Sequence, residues 1–466
     1  MNVRYASGKS LTRRAMLKYG LYGSLAASLS PCLWLSGCRK LGGRRGPNVI
    51  LITLDTTRAD HLSCYGYHRQ TSPNIDRLTE GSVVYTRAIA PSSWTLPSHA
   101  SLFTGKFTSS HGARYDPEGP LLLSDEIWGP KEWQIYRARG LAQNELTLAG
   151  MLKERGYATG AVVGGPWLKK GFGLNKGFDY YDDASISDIR GRIAKQITGS
   201  ALDWVGKLQK KKFFLFLNYF DPHTPYEPPE DFTKAFLPKG MTLSEMGASL
   251  KRKKALYDAE ILYMDHYIGH LIDNLKSNDL YNNTLLIVTA DHGELLGEHG
   301  KSFHGTDLYQ EELHVPLLIK YPGTEVAPNR TDEPVQLNDV FAIILERLGI
   351  DKPPDTQGCV PPHIEHPLLA EVYPLPAVST DGSFRAIIEE KFKFVWSSKG
   401  NHLLFHLGAD PGESINLAAN LPEKAADLLS KMNRYLARLP EPGPASPAQQ
   451  LDKSTKMALK SLGYLN

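Results

Sequence analysis

Nearly continuous apolar runs alternate along the chain with segments of helical periodicity. The run NVILITL at residues 48–54 is dominated by β-branched and other apolar side chains. Such a run is typical of a strand that is buried on both faces of a parallel sheet. Four further runs have this character, at residues 159–163, 213–219, 284–289 and 315–320. The pattern therefore predicts the buried strands of one central sheet.

Helical segments are expected between these runs, at residues 74–80, 146–155, 194–207, 255–274 and 338–348. Strands that alternate with helices favour an α/β fold with a mostly parallel central sheet and helices on both faces.

Near residue 380 the pattern changes to short strand-like segments separated by turn residues, at 384–388, 392–396 and 403–407. These segments predict a small antiparallel sheet, and a helix is expected over 422–438. The pattern divides the chain into an export signal (1–38), a linker (39–46), a main domain (47–378), a C-terminal α+β subdomain (379–440) and a Pro-rich tail (441–466).

The first 38 residues have the order of an export signal. Arg13 and Arg14 precede a weakly apolar stretch that contains Pro31 and ends in LSGC at 35–38. Charge, a short apolar run and small residues in this order mark exported proteins, and paired arginines are typical of the twin-arginine type. The LSGC sequence resembles a bacterial lipobox, in which Cys38 carries the lipid. We therefore expect a protein of the bacterial cell envelope, in the periplasm or at the cell surface, anchored to the membrane through Cys38.

Charge and cysteine content refine this picture only slightly. The 466 residues include 53 basic and 50 acidic side chains, a net charge of +3, and such a balance argues against nucleic acid as a partner. Basic runs at 210–212 and 251–254 are interpreted as solvated helix ends. Export permits a disulfide between Cys64 and Cys359, and two unpaired thiols are equally compatible with the sequence. The oligomeric state has no signal in the sequence.

Acidic and imidazole side chains directly follow three of the predicted strands. Asp55 follows the run at 48–54, Asp221 and His223 follow the run at 213–219, and Asp291 and His292 follow the run at 284–289. Ligands collect at the carboxyl ends of parallel strands, and converging carboxylates and imidazoles suit a divalent cation. The sequence therefore predicts a metal site at this edge of the sheet.

Thr95 lies in the segment SSWTLPSHASLFTG at 92–105, before Pro97 and Ser98, which can open a helix. The N-terminus of a helix favours anions. A hydroxyl nucleophile needs a metal ion or a base to react at neutral pH, and the predicted metal site would supply one. Taken alone, a threonine in this T-x-P-S pattern is more often a helix N-cap.

Five motifs in order make the chain resemble the sulfatases of the alkaline-phosphatase-like superfamily over residues 47–420. They are NVILITLDTTRADHLSCYGY, SPNIDRLTEGSVVYTRAIAPSSWTLPSHASLFTG, YFDPHTPYEPP, VTADHGELLGEHG and GADPGESINLA. The resemblance implies that Asp55, Asp291 and His292 bind one divalent metal ion together with Thr95. Calcium is the metal that sulfatases use, and the histidine is also compatible with zinc or manganese.

The resemblance also implies roles for two further histidines. His223 matches the residue that contacts the ester or protonates the leaving oxygen. His304 falls where sulfatases usually carry a lysine that contacts the sulfate, so it would act as an acid or hold a second cation.

Four positions depart from the family pattern. Sulfatases carry a cysteine or serine at the position of Thr95, which is oxidised to formylglycine, and a threonine cannot give that aldehyde. His99 replaces an arginine, which makes a fixed charge dependent on pH, and Thr56 replaces a second aspartate. The segment GGPWLKKGFG at 164–173 stands in place of a Gly-Lys-Trp-His element.

We therefore expect a metal-dependent hydrolase of sulfuric or phosphoric esters with Thr95 as nucleophile and His223, His304 and His99 as further catalytic residues. Two alternatives remain open at this point: a phospho-group transferase, and a non-catalytic cell-surface protein that binds sulfated or phosphorylated glycans. A distance above about 5 Å from Thr95 Oγ1 to the predicted metal ligands would exclude direct activation of the hydroxyl by the metal.

Overall fold

A computed structural model describes residues 46–122, 137–186, 191–323, 326–376 and 379–444, together with residues 457 and 461. The predicted export signal, with Arg13, Arg14 and Cys38, lies outside the described residues, as do most of the linker and of the tail. None of the helices in the described ranges combines the length and the apolar character that crossing a bilayer requires.

The strands, in chain order, are β1 (Asn48–Leu54), β2 (Val83–Ile89), β3 (Arg114–Tyr115), β4 (Leu121–Leu122), β5 (Arg137–Arg139), β6 (Ala158–Val162), β7 (Tyr180–Asp182), β8 (Phe213–Tyr219), β9 (Thr284–Thr289), β10 (Leu295–Leu296), β11 (Ser302–Phe303), β12 (His314–Lys320), β13 (Asn329–Thr331), β14 (Val335–Gln336), β15 (Leu368–Val372), β16 (Phe384–Glu389), β17 (Phe392–Ser397) and β18 (Leu403–His406). The helices are α1 (Pro73–Thr79), α2 (Thr95–Thr104), α3 (Thr108–His111), α4 (Leu148–Glu154), α5 (Ala194–Gly206), α6 (Glu230–Thr233), α7 (Leu250–Ser277), α8 (Gln310–Leu313), α9 (Asp339–Arg347) and α10 (Pro422–Leu436).

The central sheet has the strand order β13-β2-β12-β9-β1-β8-β6-β7, and β14 also pairs with β2. Among the described strands of this sheet, β12 alone runs antiparallel to its neighbours β2 and β9. All seven residues of β1 are buried, because helices and loops cover both faces of the sheet. The predicted α/β fold with a mostly parallel sheet is therefore confirmed.

The helices form two packed groups, one in which α7 contacts α1 and α5, and one in which α2 contacts α4 and α9. Buried carboxylates fix the position of α7. Asp258 accepts hydrogen bonds from Tyr67 and Arg69, and Asp265 accepts the first N–H groups of α1. These contacts fasten α7 to the segment that follows β1, next to the predicted metal site.

A four-stranded antiparallel sheet, in the order β15-β16-β17-β18, follows the central sheet in the chain. Helix α10 packs on it through Leu428 and Met432, which share a core with Ile387 and Phe394. Strand β15 pairs residue by residue with β16. This sheet therefore begins on the N-terminal side of the boundary predicted at residue 379.

Cys64 and Cys359 are both free thiols, so no disulfide joins the two cysteines of the described residues. Burial raises the pKa of the Cys64 thiol to about 12, which leaves it protonated and unreactive at neutral pH.

Candidate metal and catalytic site

Three buried ligand groups meet at the carboxyl ends of β1 and β9. Asp55, Asp291 and His292 each offer one ligand atom, and these atoms lie within 4.8 Å of one another. Their proximity follows from register, because Thr53 of β1 pairs with Thr289 of β9 and the two aspartates come two residues later in each strand. The metal ligands predicted from the sequence are thus brought together.

One oxygen of each carboxylate is held by the protein and the other is not. Asp55 Oδ2 accepts a hydrogen bond from Asn218 (3.1 Å), and Asp291 Oδ1 accepts the N–H groups of Thr56 and His292 (3.2 and 2.9 Å). Asp55 Oδ1 and Asp291 Oδ2 are buried without a hydrogen-bond partner among the described residues. Two aligned carboxylates with unsatisfied oxygens fit a cation, which would replace the solvation that burial removes.

The electrostatics of the two carboxylates agree with this assignment. Burial, and then repulsion from Asp291, raises the pKa of Asp55 well above its usual value. Burial also raises the pKa of Asp291. A divalent cation would offset both effects, and the donor set of two carboxylates, an imidazole and a hydroxyl suits it.

Thr95 is the first residue of α2, two residues before the helix start suggested by Pro97. Its Oγ1 lies 3.2 Å from Nε2 of His292, within the limit of about 5 Å set above for activation by a metal. His292 donates from Nδ1 to the carbonyl of Gly293 (2.9 Å), so Nε2 is the acceptor and the Thr95 hydroxyl the donor. The hydroxyl therefore lies beside one of the three ligand atoms and at a helix N-terminus.

Thr56, which replaces the second family aspartate, contributes its backbone instead of a carboxylate. It adopts a left-handed conformation with φ 52°, which costs a β-branched residue about 1–2 kcal/mol. Tyr257 holds it there by donating to the Thr56 carbonyl (2.7 Å), and this conformation directs the Thr56 N–H at Asp291. Thr56 Oγ1 is also buried without a hydrogen-bond partner among the described residues.

His99 lies between the nucleophile and β1. Its Nδ1 donates to the carbonyl of Thr95 (2.8 Å) and is 3.6 Å from Asp291 Oδ2, while its Nε2 accepts from the hydroxyl of Thr53 (3.0 Å). Burial lowers the pKa of His99, so the imidazole is neutral. The arginine charge of the family pattern is therefore not replaced by a charge, and His99 fixes the first turn of α2.

His223 and His304 extend the site away from β1. The His304 ring is 4.6 Å from the ring of His292 and 4.9 Å from that of His223, between centroids. Burial lowers the pKa of both His223 and His304 to about 3. Among the described residues, Asp55, Asp291 and His292 form the one group of three such ligands, so His304 does not complete a second group of this kind.

Glu294 is a further residue of the site, to which the sequence alone assigned no role. It is fully buried, lies 3.3 Å from His304 Nδ1 through Oε1 and accepts a hydrogen bond from Tyr226 (3.2 Å). Its place in the motif DHGE, three residues after Asp291, is a signal that could have identified it.

The segment that replaces the Gly-Lys-Trp-His element supports the site through its backbone and an aromatic wall. The N–H groups of Gly164 and Gly165 donate to Asn218 Oδ1 (3.2 and 3.0 Å), which orients the amide that holds Asp55. Trp167 packs edge-on against Trp94, next to Thr95, with ring centroids 4.6 Å apart.

Asp221 lies outside the metal group, and its side chain caps the N-terminus of α5. Its Oδ1 accepts the N–H of Ala194 (2.8 Å), the first residue of α5. Burial raises the pKa of Asp221 to about 7. Burial and the neighbouring Asp221 raise the pKa of Glu260, which accepts the N–H of Glu227 (2.7 Å), to about 9.

We expect Glu260→Gln to change the free energy of unfolding in favour of the variant at pH 8. The change at pH 8 should exceed the change at pH 5 by at least about 1 kcal/mol. A carboxyl whose pKa is raised on folding binds more protons in the native state, so stability is lost as the pH rises from about 4.5 towards 9. Gln resembles the protonated acid and removes this loss. Denaturant unfolding at both pH values measures the effect, with the exposed Glu154→Gln as control. Equal stability changes at both pH values would show that Glu260 does not titrate in this range.

The chain matches a known protein family and is similar to characterised proteins. Residues 47–350 match the family model described as Sulfatase. The chain is 24% identical over 440 residues to the ulvan-active sulfatase of Formosa agariphila, covering 84% of this chain and 81% of the relative. It is 24% identical to the arylsulfatase of Clostridium perfringens, covering 80% and 90%.

Solved structures show the same fold. The phosphonate monoester hydrolase of Agrobacterium radiobacter superimposes with a TM-score of 0.66 at 20% identity, covering 84% of this chain and 96% of that protein. The structure of BT4656 in complex with its substrate D-glucosamine-2-N,6-O-disulfate superimposes with a TM-score of 0.68 at 19% identity, covering 84% and 97%.

Proposed function

The chain belongs to the sulfatase family, a family of sulfuric ester hydrolases, and from this premise we propose that it is a metal-dependent hydrolase of sulfate or phosphate-type esters with Thr95 as nucleophile. The observation that supports this most strongly is the distance of 3.2 Å between Thr95 Oγ1 and His292 Nε2. A protein that only binds glycans would not need a hydroxyl at a helix N-terminus beside two buried carboxylates. The phosphonate hydrolase among the similar structures is why the proposal includes phosphorus esters.

Asp55, Asp291, His292 and Thr95 would hold the cation, with calcium expected from the family and zinc or manganese compatible with His292. When bound, a divalent cation lowers the pKa of a neighbouring hydroxyl and neutralises charge on the ester oxygens. The remaining chemistry belongs to residues of the chain.

In the first step the Thr95 hydroxyl releases its proton to solvent, Oγ1 forms a bond to the sulfur or phosphorus of the ester, and the bond from that atom to the leaving oxygen breaks. The N–H groups at the start of α2 favour the negative charge of the ester oxygens. An anionic ester raises the pKa of the neighbouring imidazoles, so that His223 is protonated in the complex and gives its proton to the leaving oxygen. The charge of Glu294 also raises the pKa of His223, and His304 would contact the ester oxygens.

In the second step water attacks the sulfur or phosphorus of the Thr95 ester. His223 takes a proton from that water, the bond to Thr95 Oγ1 breaks, and a proton from solvent restores the hydroxyl as the inorganic anion leaves. His99 acts as a positioning residue in both steps, because its hydrogen bond to the Thr95 carbonyl fixes the turn that presents the hydroxyl.

The test is turnover by the purified protein of a sulfate monoester, a phosphate monoester and a phosphonate monoester, each with calcium, manganese or zinc. We expect hydrolysis of at least one ester with one of these metals, and none after chelation. Transfer of the group to an added alcohol in preference to water would identify a transferase. Binding of sulfated glycans without turnover of any ester would support the non-catalytic alternative.

Export and lipid anchoring are also part of the proposal, based on Arg13, Arg14 and the LSGC sequence. We expect the wild-type protein in the membrane fraction of its cell envelope, and Cys38→Ala in the soluble fraction, because the lipid is the anchor. Fractionation followed by immunoblotting measures this, with Cys32→Ala as the matched control. Membrane association of Cys38→Ala equal to wild type would rule out the lipid anchor.

A further inference from the structure

Phe303 carries two energetic costs directly beside the catalytic centre. It precedes His304, has a left-handed backbone with φ 75°, and leaves 51% of its surface exposed. A bulky L-residue in this region costs about 1–3 kcal/mol, and exposure forfeits the gain from burying an aromatic ring. A residue that combines strain with exposure at the edge of a site is expected to contact a ligand.

Lys253, in the first turn of α7, adds a positive charge to this ring. Its Nζ lies 5.2 Å from the centroid of the Phe303 ring and donates to the carbonyl of Leu295 (3.3 Å). Leu295 and Phe303 pair across the β10–β11 hairpin, so one short hairpin holds both the ring and the acceptor of the lysine. Phe303 directly precedes His304 in the chain, so the ring and the ammonium above it lie next to the site.

The charge of Lys253 is also placed where the helix disfavours it. Residues 251–254 are all basic, and the first turn of α7 contains no acidic residue, although the N-terminus of a helix repels cations. Lys254 is compensated by Glu298 (3.0 Å). Among the described residues, no carboxylate lies within ion-pair distance of Lys253, and burial lowers its pKa although the charges of Glu294 and Glu298 raise it.

We propose that Phe303 and Lys253 form a subsite for the leaving group, which accepts a saccharide ring that bears a second anionic group. The C–H face of the sugar packs on the aromatic ring, and the second sulfate or carboxylate pairs with Lys253. The ammonium and the ring lie beside His304, so the subsite is next to the ester. This inference rests on the proposed function, because it names the alcohol that is released when Thr95 takes the sulfuryl group.

The test measures binding with turnover removed. In the Thr95→Ala background, calorimetry with the metal present gives Kd for N-acetyl-D-glucosamine-6-O-sulfate and for D-glucosamine-2-N,6-O-disulfate, two probes of which only the second carries two anionic groups. We expect the disulfate to bind about tenfold more tightly, as one partly buried ion pair allows. Lys253→Met is expected to reduce this ratio to about one. A ratio that Lys253→Met leaves unchanged would overturn the subsite.

Lys276→Met is the matched control, because Lys276 makes the same contact at the other end of α7, 5.2 Å from the centroid of the Tyr281 ring. This variant is expected to keep the preference for the disulfate.

Phe303→Gly separates ligand binding from folding. Glycine adopts φ 75° without strain, so we expect Tm to stay the same or to rise while both probes bind more weakly. A fall in Tm with unchanged affinities would show that the ring is structural and would overturn the proposal.

The two proposals fail in different ways. Turnover of simple esters together with a binding ratio insensitive to Lys253 would remove the subsite and keep the hydrolase. Absence of turnover on every ester would remove the hydrolase, and the calorimetric ratio, measured without turnover, would still decide whether the subsite exists.

Discussion

Thr95→Ala is expected to lower kcat for ester hydrolysis by about a thousandfold or more, because it removes the atom that forms the covalent bond. The variant should keep its fold, since it loses one hydroxyl and its hydrogen bond to His292. Initial rates at saturating substrate, with Tm measured in parallel, test this expectation.

Two variants serve as controls for the nucleophile. Thr95→Ser keeps a hydroxyl at the start of α2 and is expected to retain far more activity than Thr95→Ala. Thr104→Ala removes a buried hydroxyl from the same helix, one that donates to the Ala100 carbonyl (2.7 Å), and is expected to keep kcat near wild type. Activity of Thr95→Ala close to wild type would show that another group attacks the ester.

Asp291→Asn is expected to abolish both ester hydrolysis and the stabilisation of the protein by metal. In the wild-type protein, metal at about 100 times its Kd should stabilise the native state by about 2.7 kcal/mol. The variant lacks one of the two carboxylates whose buried oxygens have no hydrogen-bond partner among the described residues. Thermal unfolding with chelator and with added metal measures the difference.

The same variant has an effect of opposite sign in the metal-free protein. Because burial raises the pKa of Asp291 and of Asp55, the ionised carboxylates destabilise the native state, and this destabilisation grows as the pH rises above the unfolded pKa. Metal-free Asp291→Asn should therefore be at least as stable as metal-free wild type at pH 8. The exposed Asp203→Asn is the control and should keep the full response to metal. A metal response in Asp291→Asn equal to that of wild type would exclude Asp291 as a ligand.

The strands that carry the site were predictable from the sequence because they are buried on both faces. β1, β8 and β9 are almost wholly apolar, and the residues that follow them could be placed at one edge of the sheet. β2 was missed because Thr86 and Arg87 interrupt its apolar run, and these two positions are less buried than the residues on either side of them, Tyr85 and Ala88. The antiparallel direction of β12 has no local signal, since an antiparallel strand buried in the same sheet has the same composition.

Some site residues were predictable from their place after a strand, and others depend on contacts in the tertiary structure. Asp55, Asp291 and His292 follow strands directly, so position in the chain was enough to group them. Asp221 has the same kind of position, but it caps α5, because the loop after β8 places it beside Ala194. Glu294 has a local signal in the DHGE motif, but its contacts with Tyr226 and His304 depend on the tertiary structure.

The basic run at 251–254 shows why such patterns mislead. Lys251 is exposed, as expected for a solvated helix end, whereas Lys253 is partly buried against Phe303. Neighbouring residues of a helix point in different directions. A run of like charges therefore includes side chains in different environments, which the tertiary structure alone distinguishes.

Mass spectrometry of the enzyme quenched in acid during turnover of a sulfate monoester tests the role of Thr95 most directly. The proposed mechanism predicts a peptide that contains Thr95 and is heavier by one sulfuryl group, with the modification on Thr95 and absent from Thr95→Ala. Turnover by the wild-type protein with an unmodified Thr95 peptide, or with the group on another residue, would contradict it.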